Sequence, residues 1–241
     1  MQPTTAMLPA VLPAVLPAVL PLLALSGLDF EARIAAGDGV IAVCGVGSAA
    51  LAERLEQIAA RGCAGIISFG TAGGLAPTLV PGDCVLADMV IGNPQQRWAT
   101  DAKWLNALHA RLPHAHLGTI AGVGVPITSV AAKQELWKGS TALAVDMESH
   151  WAAQVAQRHG VPFAVCRVVV DPAQRSLPSS ATVGLQADGS TAILPILRAL
   201  AAHPGELPAL LKLARDAGAA RASLKRIRAE LGLRFALPAQ Y

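Results

Sequence analysis

Charge is scarce in this chain. Only 15% of its 241 residues are Asp, Glu, Lys or Arg, and the formal net charge is +3. That balance does not by itself argue for a nucleic-acid partner. Aromatic residues make up 4% and hydrophobic residues 53%. Such a chain can bury a sizeable core and is not a solvating, disordered protein. Metal-like cysteine pairing is missing as well. Cys44, Cys63, Cys84 and Cys166 form no CxxC or other short pair. Three of them lie inside apolar runs, so they read as buried free thiols in a reducing compartment. No metal is expected. His109, His114 and His116 crowd a helix end and loop without carboxylate neighbours and read as surface residues.

Basic residues are missing from the first part of the chain. No Lys or Arg precedes Arg33, so the basic region of a signal peptide is absent. Residues 8–21, "LPAVLPAVLPAVLP", are apolar but carry Pro9, Pro13, Pro17 and Pro21. Each removes an amide donor and clashes with a preceding helical turn, which argues against a spanning helix. Residues 1–18 are expected to be a low-complexity extension, disordered or polyproline-like. Residues 19–241 read as a single domain. The expected location is cytoplasmic.

Beyond that extension the pattern alternates. Apolar runs near 20–26, 40–46, 65–69, 84–91, 117–125, 142–145 and 163–170 read as strands. Stretches 48–61, 101–112, 131–138 and 147–159 read as helices. Alternation of this kind predicts an α/β fold, a three-layer α/β/α arrangement around a twisted, mostly parallel sheet. The runs are continuously apolar, as in strands covered on both faces. A helical extension is expected over 191–234. Within 206–231 an apolar stripe runs from Leu207 to Leu231 at spacings of three and four. Gly218 interrupts it and weakens the case for one unbroken helix. Residues 198–234 carry eight Lys or Arg against three acids, or 8 − 3 = +5. This reads as a solvated face or as a contact with an anionic inner-membrane surface.

Two glycine stretches follow successive strands. Gly45, Gly47 and Ala50 match a G-x-G-x-x-A fingerprint. The next strand then ends in Ser68, Phe69 and Gly70 rather than in an acid that holds a ribose, which disfavours a nicotinamide cofactor. What remains is Ser48 as a helix cap and free amides for an anion or a sugar oxygen. The second stretch, "FGTAGGLAPTLVPGD" over 69–83, is expected to be a loop that brings backbone amides and the Thr71 hydroxyl to a ligand.

Two acidic spots end apolar strands. Asp146, Met147 and Glu148 open one helix, and Asp171 follows Val168–Val170 and precedes Pro172. A carboxylate at the end of a buried strand costs desolvation unless it is paired. Helix capping accounts well for Asp146, partly for Glu148 and poorly for Asp171.

These residues together carry a resemblance. "FGTAGGLAPTLVPGD", "AVDMES" and "VPFAVCRVVVDPA" resemble the nucleoside phosphorylase and nucleosidase superfamily, over about residues 20–178 in order and spacing. The nearest pattern is that of the 5′-methylthioadenosine/S-adenosylhomocysteine nucleosidases. "DPAQRSLP" and the basic tail are more similar to the branch associated with hopanoid biosynthesis. The resemblance implies cleavage of the N-glycosidic bond of a 5′-substituted adenosine, by that branch adenosylhopane, with release of adenine. It implies that Glu148 takes the ribose hydroxyls and that Met147 packs beneath the sugar. Asp171 would be the general acid at the purine nitrogen N7. Glu31, with Asp29 as the weaker candidate, would activate water. Gly47, Thr71, Gly73 and Arg33 would form the phosphate or water pocket. Pro126, Ile127 and Val170 would touch the purine, and Trp151 is either packing or a wall of the 5′ pocket.

The pattern departs from the family in places. Asp146 replaces a glutamate. Val170 stands where the nucleosidases often have serine. Ser68 stands where the hexameric phosphorylases carry a phosphate-binding arginine. The hopanoid resemblance implies phosphorolysis, the missing arginine argues for hydrolysis, and the balance leans to phosphorolysis. No cofactor is expected beyond phosphate as a co-substrate. The expected partners are a purine nucleoside, in that branch lipid-linked, and a second copy of the chain in a homodimer. The rival reading from another class is a non-catalytic purine-nucleoside binding protein, which would need Glu148 but not Asp171.

Overall fold

A computed structural model describes residues 20–47, 49–92, 96–178, 188–190 and 193–239. The expectations for residues 1–18 and for Ser48 lie outside that set. The elements run β1 (Leu22–Ser26), α1 (Asp29–Ala35), β2 (Val40–Cys44), α2 (Ala49–Ala59), β3 (Gly65–Gly74), β4 (Cys84–Ile91) and β5 (Arg97–Ala99). Then come α3 (Ala102–Arg111), β6 (His116–Gly122), α4 (Val130–Ser140), β7 (Ala144–Asp146), α5 (Ser149–His159), β8 (Phe163–Asp171), α6 (Ile193–Ala202) and α7 (Leu207–Leu231).

The sheet is mixed. Parallel pairs join β1 to β2 and β3, β3 to β8, β4 to β6, and β6 to β7. Antiparallel pairs join β3 to β7, β4 to β5, and β4 to β8. Strands β3, β7, β6, β4 and β8 therefore close into a ring, from which β1 and β2 extend as a wing. Closure removes exposed edges from those five strands. Apolar periodicity reports which faces are buried but not which strands pair, so the ring was not legible in the sequence.

Side chains alternate across the strands with period two. Leu23, Leu25 and Ile66 face one core with Leu51 and Leu55 of α2 and Val155 of α5. Leu22, Ala24 and Ile67 face the other with Trp104 and Leu108 of α3 and Leu224, Ile227 and Leu231 of α7. Burial on both faces explains the uninterrupted apolar runs. Each buried Leu or Ile contributes about 1.5–3 kcal/mol relative to exposure.

Several expectations need correction. The stretch 69–74 is not a loop, because β3 continues through it to Gly74. It is held in register by β8 on one side and β7 on the other, with a shift between Ala72 and Gly73. Helix α1 and strand β5 are too short for periodicity to reveal. Gly218 does not interrupt α7, which is continuous for 25 residues. The stripe on α7 is half right. Ala220, Leu224, Ile227 and Leu231 are buried, but Leu207 and Leu211 project into solvent.

Candidate active site

The carboxyl ends of β3, β7 and β8 and the start of α1 enclose one cavity. It is lined by Gly27, Glu31, Thr71, Gly73, Ile127, Met147, Glu148, Val170 and Asp171, among others. Asp146 also reaches it from the end of β7. Four carboxylates thus converge, and each is at least nine-tenths buried.

Glu31 forms the base of the cavity. Helix α1 starts after a turn at Gly27–Leu28, and the carboxylate folds back onto it. Oε2 accepts the amides of Gly27 at 3.1 Å and Leu28 at 3.0 Å. Oε1 accepts the Thr71 amide at 2.8 Å and the Thr71 hydroxyl at 2.6 Å. Three of these donors are fixed backbone groups. The Thr71 hydroxyl alone can rotate away and release an acceptor position. Gly70 makes this possible: a Cβ there would lie 2.8 Å from Nη1 of Arg167 and would overlap the Glu31 carboxylate. Glycine in this strand is therefore required by the side chains that crowd against it.

Arg167 lies beneath the cavity, fully buried in β8. Its Nε is 2.8 Å from Oδ2 of Asp146, and Nη2 is 3.3 Å from Oε2 of Glu148. Nη2 also donates to the Ser68 hydroxyl at 2.6 Å, and Nη1 to the Thr71 carbonyl at 3.2 Å. Asp146 also accepts the amides of Glu148 and Ser149 and the Ser149 hydroxyl. Helix α5 begins at Ser149 with Glu148 as its N-cap residue, so Asp146 is not the N-cap itself; it holds the first amides from two residues further back and pairs with Arg167 as well. Burial alone would lower the guanidinium pKa, but the carboxylates of Asp146, Glu148 and Glu31 outweigh that and raise it.

Glu148 has the opposite problem. Burial, with the nearby charges of Asp146 and Glu31, pushes its pKa up to about 8, although Arg167 and the Gly47 amide oppose the rise. The native state therefore holds a proton that the unfolded chain releases around the ordinary glutamate value of 4.5. Stability is full below that value and is lost as pH rises toward 8. Glu148→Gln should remove this dependence. In urea melts between pH 4.5 and 8.5 the variant should gain on the wild type as pH rises, and parallel curves would refute the shift. Met147 leans on Gly47, where a Cβ would lie 2.6 Å from the methionine Cε at a positive φ of 42°. Gly47 is thus required for close approach.

Asp171 ends β8 opposite Gly73. Its Oδ2 meets the ammonium of Lys133, a fully buried residue of α4. Burial holds the Asp171 carboxyl above its ordinary range, with Lys133 working against the rise.

A family profile described as the phosphorylase superfamily matches residues 29–194, which include all four carboxylates, Arg167 and Lys133. The chain belongs to that superfamily. No curated protein is similar enough to match. Among solved structures, futalosine hydrolase of Helicobacter pylori superposes with a TM-score of 0.62 at 17% identity, covering 88% of this chain and 99% of that one. The 5′-methylthioadenosine/S-adenosylhomocysteine nucleosidase of Helicobacter pylori gives 0.59 at 18% identity, covering 88% and 99%. The corresponding nucleosidase of Neisseria meningitidis, bound to methylthio-immucillin-A, gives 0.59 at 17%, covering 87% and 98%. At these identities the likeness speaks for the fold.

Within this superfamily fold, most residues singled out from the sequence come together. Glu31, Thr71, Gly73, Ile127, Met147, Glu148, Val170 and Asp171 line one cavity, as does Pro126. Gly47 stands behind Met147 and Glu148. Arg33 does not join them. It projects from α1 with its side chain 77% exposed and pairs with Asp29. The helical turn that carries Glu31 inward turns Arg33 outward. Trp151 packs against the core rather than walling the cavity.

Arg167 and Lys133 were missed. A lone arginine in "AVCRVVVD" was a usable signal, because a cation in a buried strand demands partners. Lys133 gave none, since it sits on a helix whose other lysine and glutamate are ordinary surface residues. Among the described residues no group of three or more His, Cys, Asp or Glu is placed to hold a metal. No helix among them is long and apolar enough to cross a membrane.

Proposed function

We propose that this superfamily member hydrolyses the N-glycosidic bond of a 5′-substituted adenosine and releases adenine. The observation that carries the choice of water is the state of Glu31. An anionic nucleophile would need free donors, and the amides of Gly27, Leu28 and Thr71 are already taken by this carboxylate. Arg33, the cation that the phosphorolysis reading needed, points into solvent. Arg167 is engaged by Asp146 and Glu148. The Glu31 carboxylate repels phosphate from the donors it already occupies, whereas a water near Glu31 finds an acceptor once the Thr71 hydroxyl turns aside.

The roles are those the resemblance implies, and the geometry is compatible with them. Glu148 accepts the 2′ and 3′ hydroxyls when ionised. Met147 packs beneath the sugar. Asp171 gives its proton to N7 of the leaving purine, so that the base departs neutral. The sugar becomes cationic as the bond breaks, and the surrounding carboxylates stabilise that charge. Glu31 takes the proton of the attacking water. A lipid-bearing 5′ group, as in adenosylhopane, is the finer reading. Its support is the resemblance of "DPAQRSLP" together with exposed Leu194, Leu207 and Leu211 beside a basic helix. Those leucines suit a membrane surface.

The test is chromatography of products from a 5′-alkyl adenosine with and without phosphate. Adenine and a free 5′-substituted ribose should form at the same rate in both. A sugar 1-phosphate formed only with phosphate present would overturn hydrolysis. No adenine from either short-chain or lipid-bearing substrates would leave a nucleoside-binding protein.

A further inference from the structure

Lys133 is the only buried lysine among the described residues, and no role above uses it. Its ammonium has three protons. They meet Oδ2 of Asp171 and the carbonyls of Pro172 at 3.1 Å and Arg175 at 3.0 Å, with the Asp171 carbonyl at 3.5 Å. The segment after β8 is thus wrapped around one cation. Arg175 in turn pairs with Asp216 of α7, which ties that segment to the C-terminal helix. Burying an ammonium is costly, and a fully donated cage of this kind offsets that cost.

We propose that Lys133 is the positioning residue of the acid: it holds one oxygen of Asp171 and receives the charge that forms when the other gives its proton to the leaving base. This rests on the reading of Asp171 as the acid. Lys133 occupies Oδ2 and Asp171 lines the cavity, so the oxygen open to a base is Oδ1. In the reactive form Oδ1 carries the proton. As the C–N bond breaks, its electron pair goes to the base and the Oδ1 proton moves to N7. Asp171 becomes a carboxylate against the ammonium, and water from the cavity later returns the proton. The ion pair is complete only after transfer, so the interaction strengthens along the reaction, as stabilisation of a transition state requires.

The charged groups facing Asp171 are Lys133 from α4 and Arg175 from its own segment, and both lower its pKa. Asp216 partners Arg175, and β3 presents uncharged Gly73 there. Removing Lys133 leaves burial less opposed, so the acid should hold its proton to higher pH yet release it less readily.

The experiment is a pH–rate series on Lys133→Met, Asp171→Asn and the double variant. Lys133→Met should lower kcat about 10- to 100-fold with little change in KM. It should also move the alkaline limb of kcat/KM up by about one pH unit. The double variant should be no slower than Asp171→Asn alone, and should melt at a higher temperature because no unpaired ammonium stays buried. Lys133→Gln can still donate to the carbonyls without charge, and should show the same alkaline shift should the methionine variant not fold. An unmoved limb, a loss confined to KM, or a double variant slower than Asp171→Asn by the full Lys133→Met factor would each overturn the proposal. Full activity in Asp171→Asn would instead overturn the reading of Asp171 as the acid.

Discussion

Replacing Arg167 with methionine should cost about 3–5 kcal/mol of folding stability at neutral pH. Its guanidinium is wholly buried and stands between the carboxylates of Asp146 and Glu148, close to Glu31. A methionine fills much of the volume, so the loss is chiefly electrostatic. The variant leaves three acids facing one another without a cation. Their mutual repulsion then goes uncompensated wherever they are ionised, and Glu148, already raised to about 8, is pushed higher still. Stability relative to the wild type should therefore recover as pH falls and the acids take up protons. Urea melts at pH 8 and pH 5 check this. A loss of the same size at both values would mean that packing, not charge, accounts for it. The Ser68 hydroxyl and the Thr71 carbonyl also lose their donor, so a residual loss of about 1 kcal/mol should remain at low pH.

Glu31→Gln should lower turnover about 10²- to 10⁴-fold. The amide nearly matches the carboxylate in shape but has no basic oxygen for the proton of water. It also turns an NH₂ group toward backbone amides that donate to Glu31, so about 1–3 kcal/mol of stability should be lost. Substrate binding should change far less than kcat, because the ribose diol and the purine are held elsewhere in the cavity. Steady-state kinetics on the folded variant decide the matter. A rate within threefold of the wild type would remove Glu31 as the base and reopen phosphate as the nucleophile.

Much of the site was legible as separate marks on the chain. Asp171 betrayed itself because a carboxylate at the end of "CRVVV" has no cheap structural excuse. Glu148 and Met147 stood at the junction of a strand and a helix, where side chains reach the open end of a sheet. Arg33 was misplaced for a simple reason. It lies two residues from Glu31, and on a helix that spacing turns it by about 200° to the opposite face. Gly70, Gly73 and Gly74 suggested a loop because backbone freedom is the property a sequence shows. The structure uses the absence of a side chain at Gly70 instead, to let Arg167 and Glu31 approach a strand.

The sequence by itself determined the class of the fold and the chemistry available. Its doubly buried strands, its few charges and its placed acids already restrict the answer to an α/β enzyme-like cavity rich in carboxylates. The protonation and partnership of those acids were decided only by the tertiary structure. Arg167 reaches Asp146 and Glu148 across strands β8 and β7, and Lys133 reaches Asp171 from a helix 38 residues earlier in the chain. A pKa depends on burial and on charges within a few ångströms. Neither quantity is a property of neighbours in sequence. The ring of β3, β7, β6, β4 and β8 creates both at once, by closing around groups that the linear chain keeps apart.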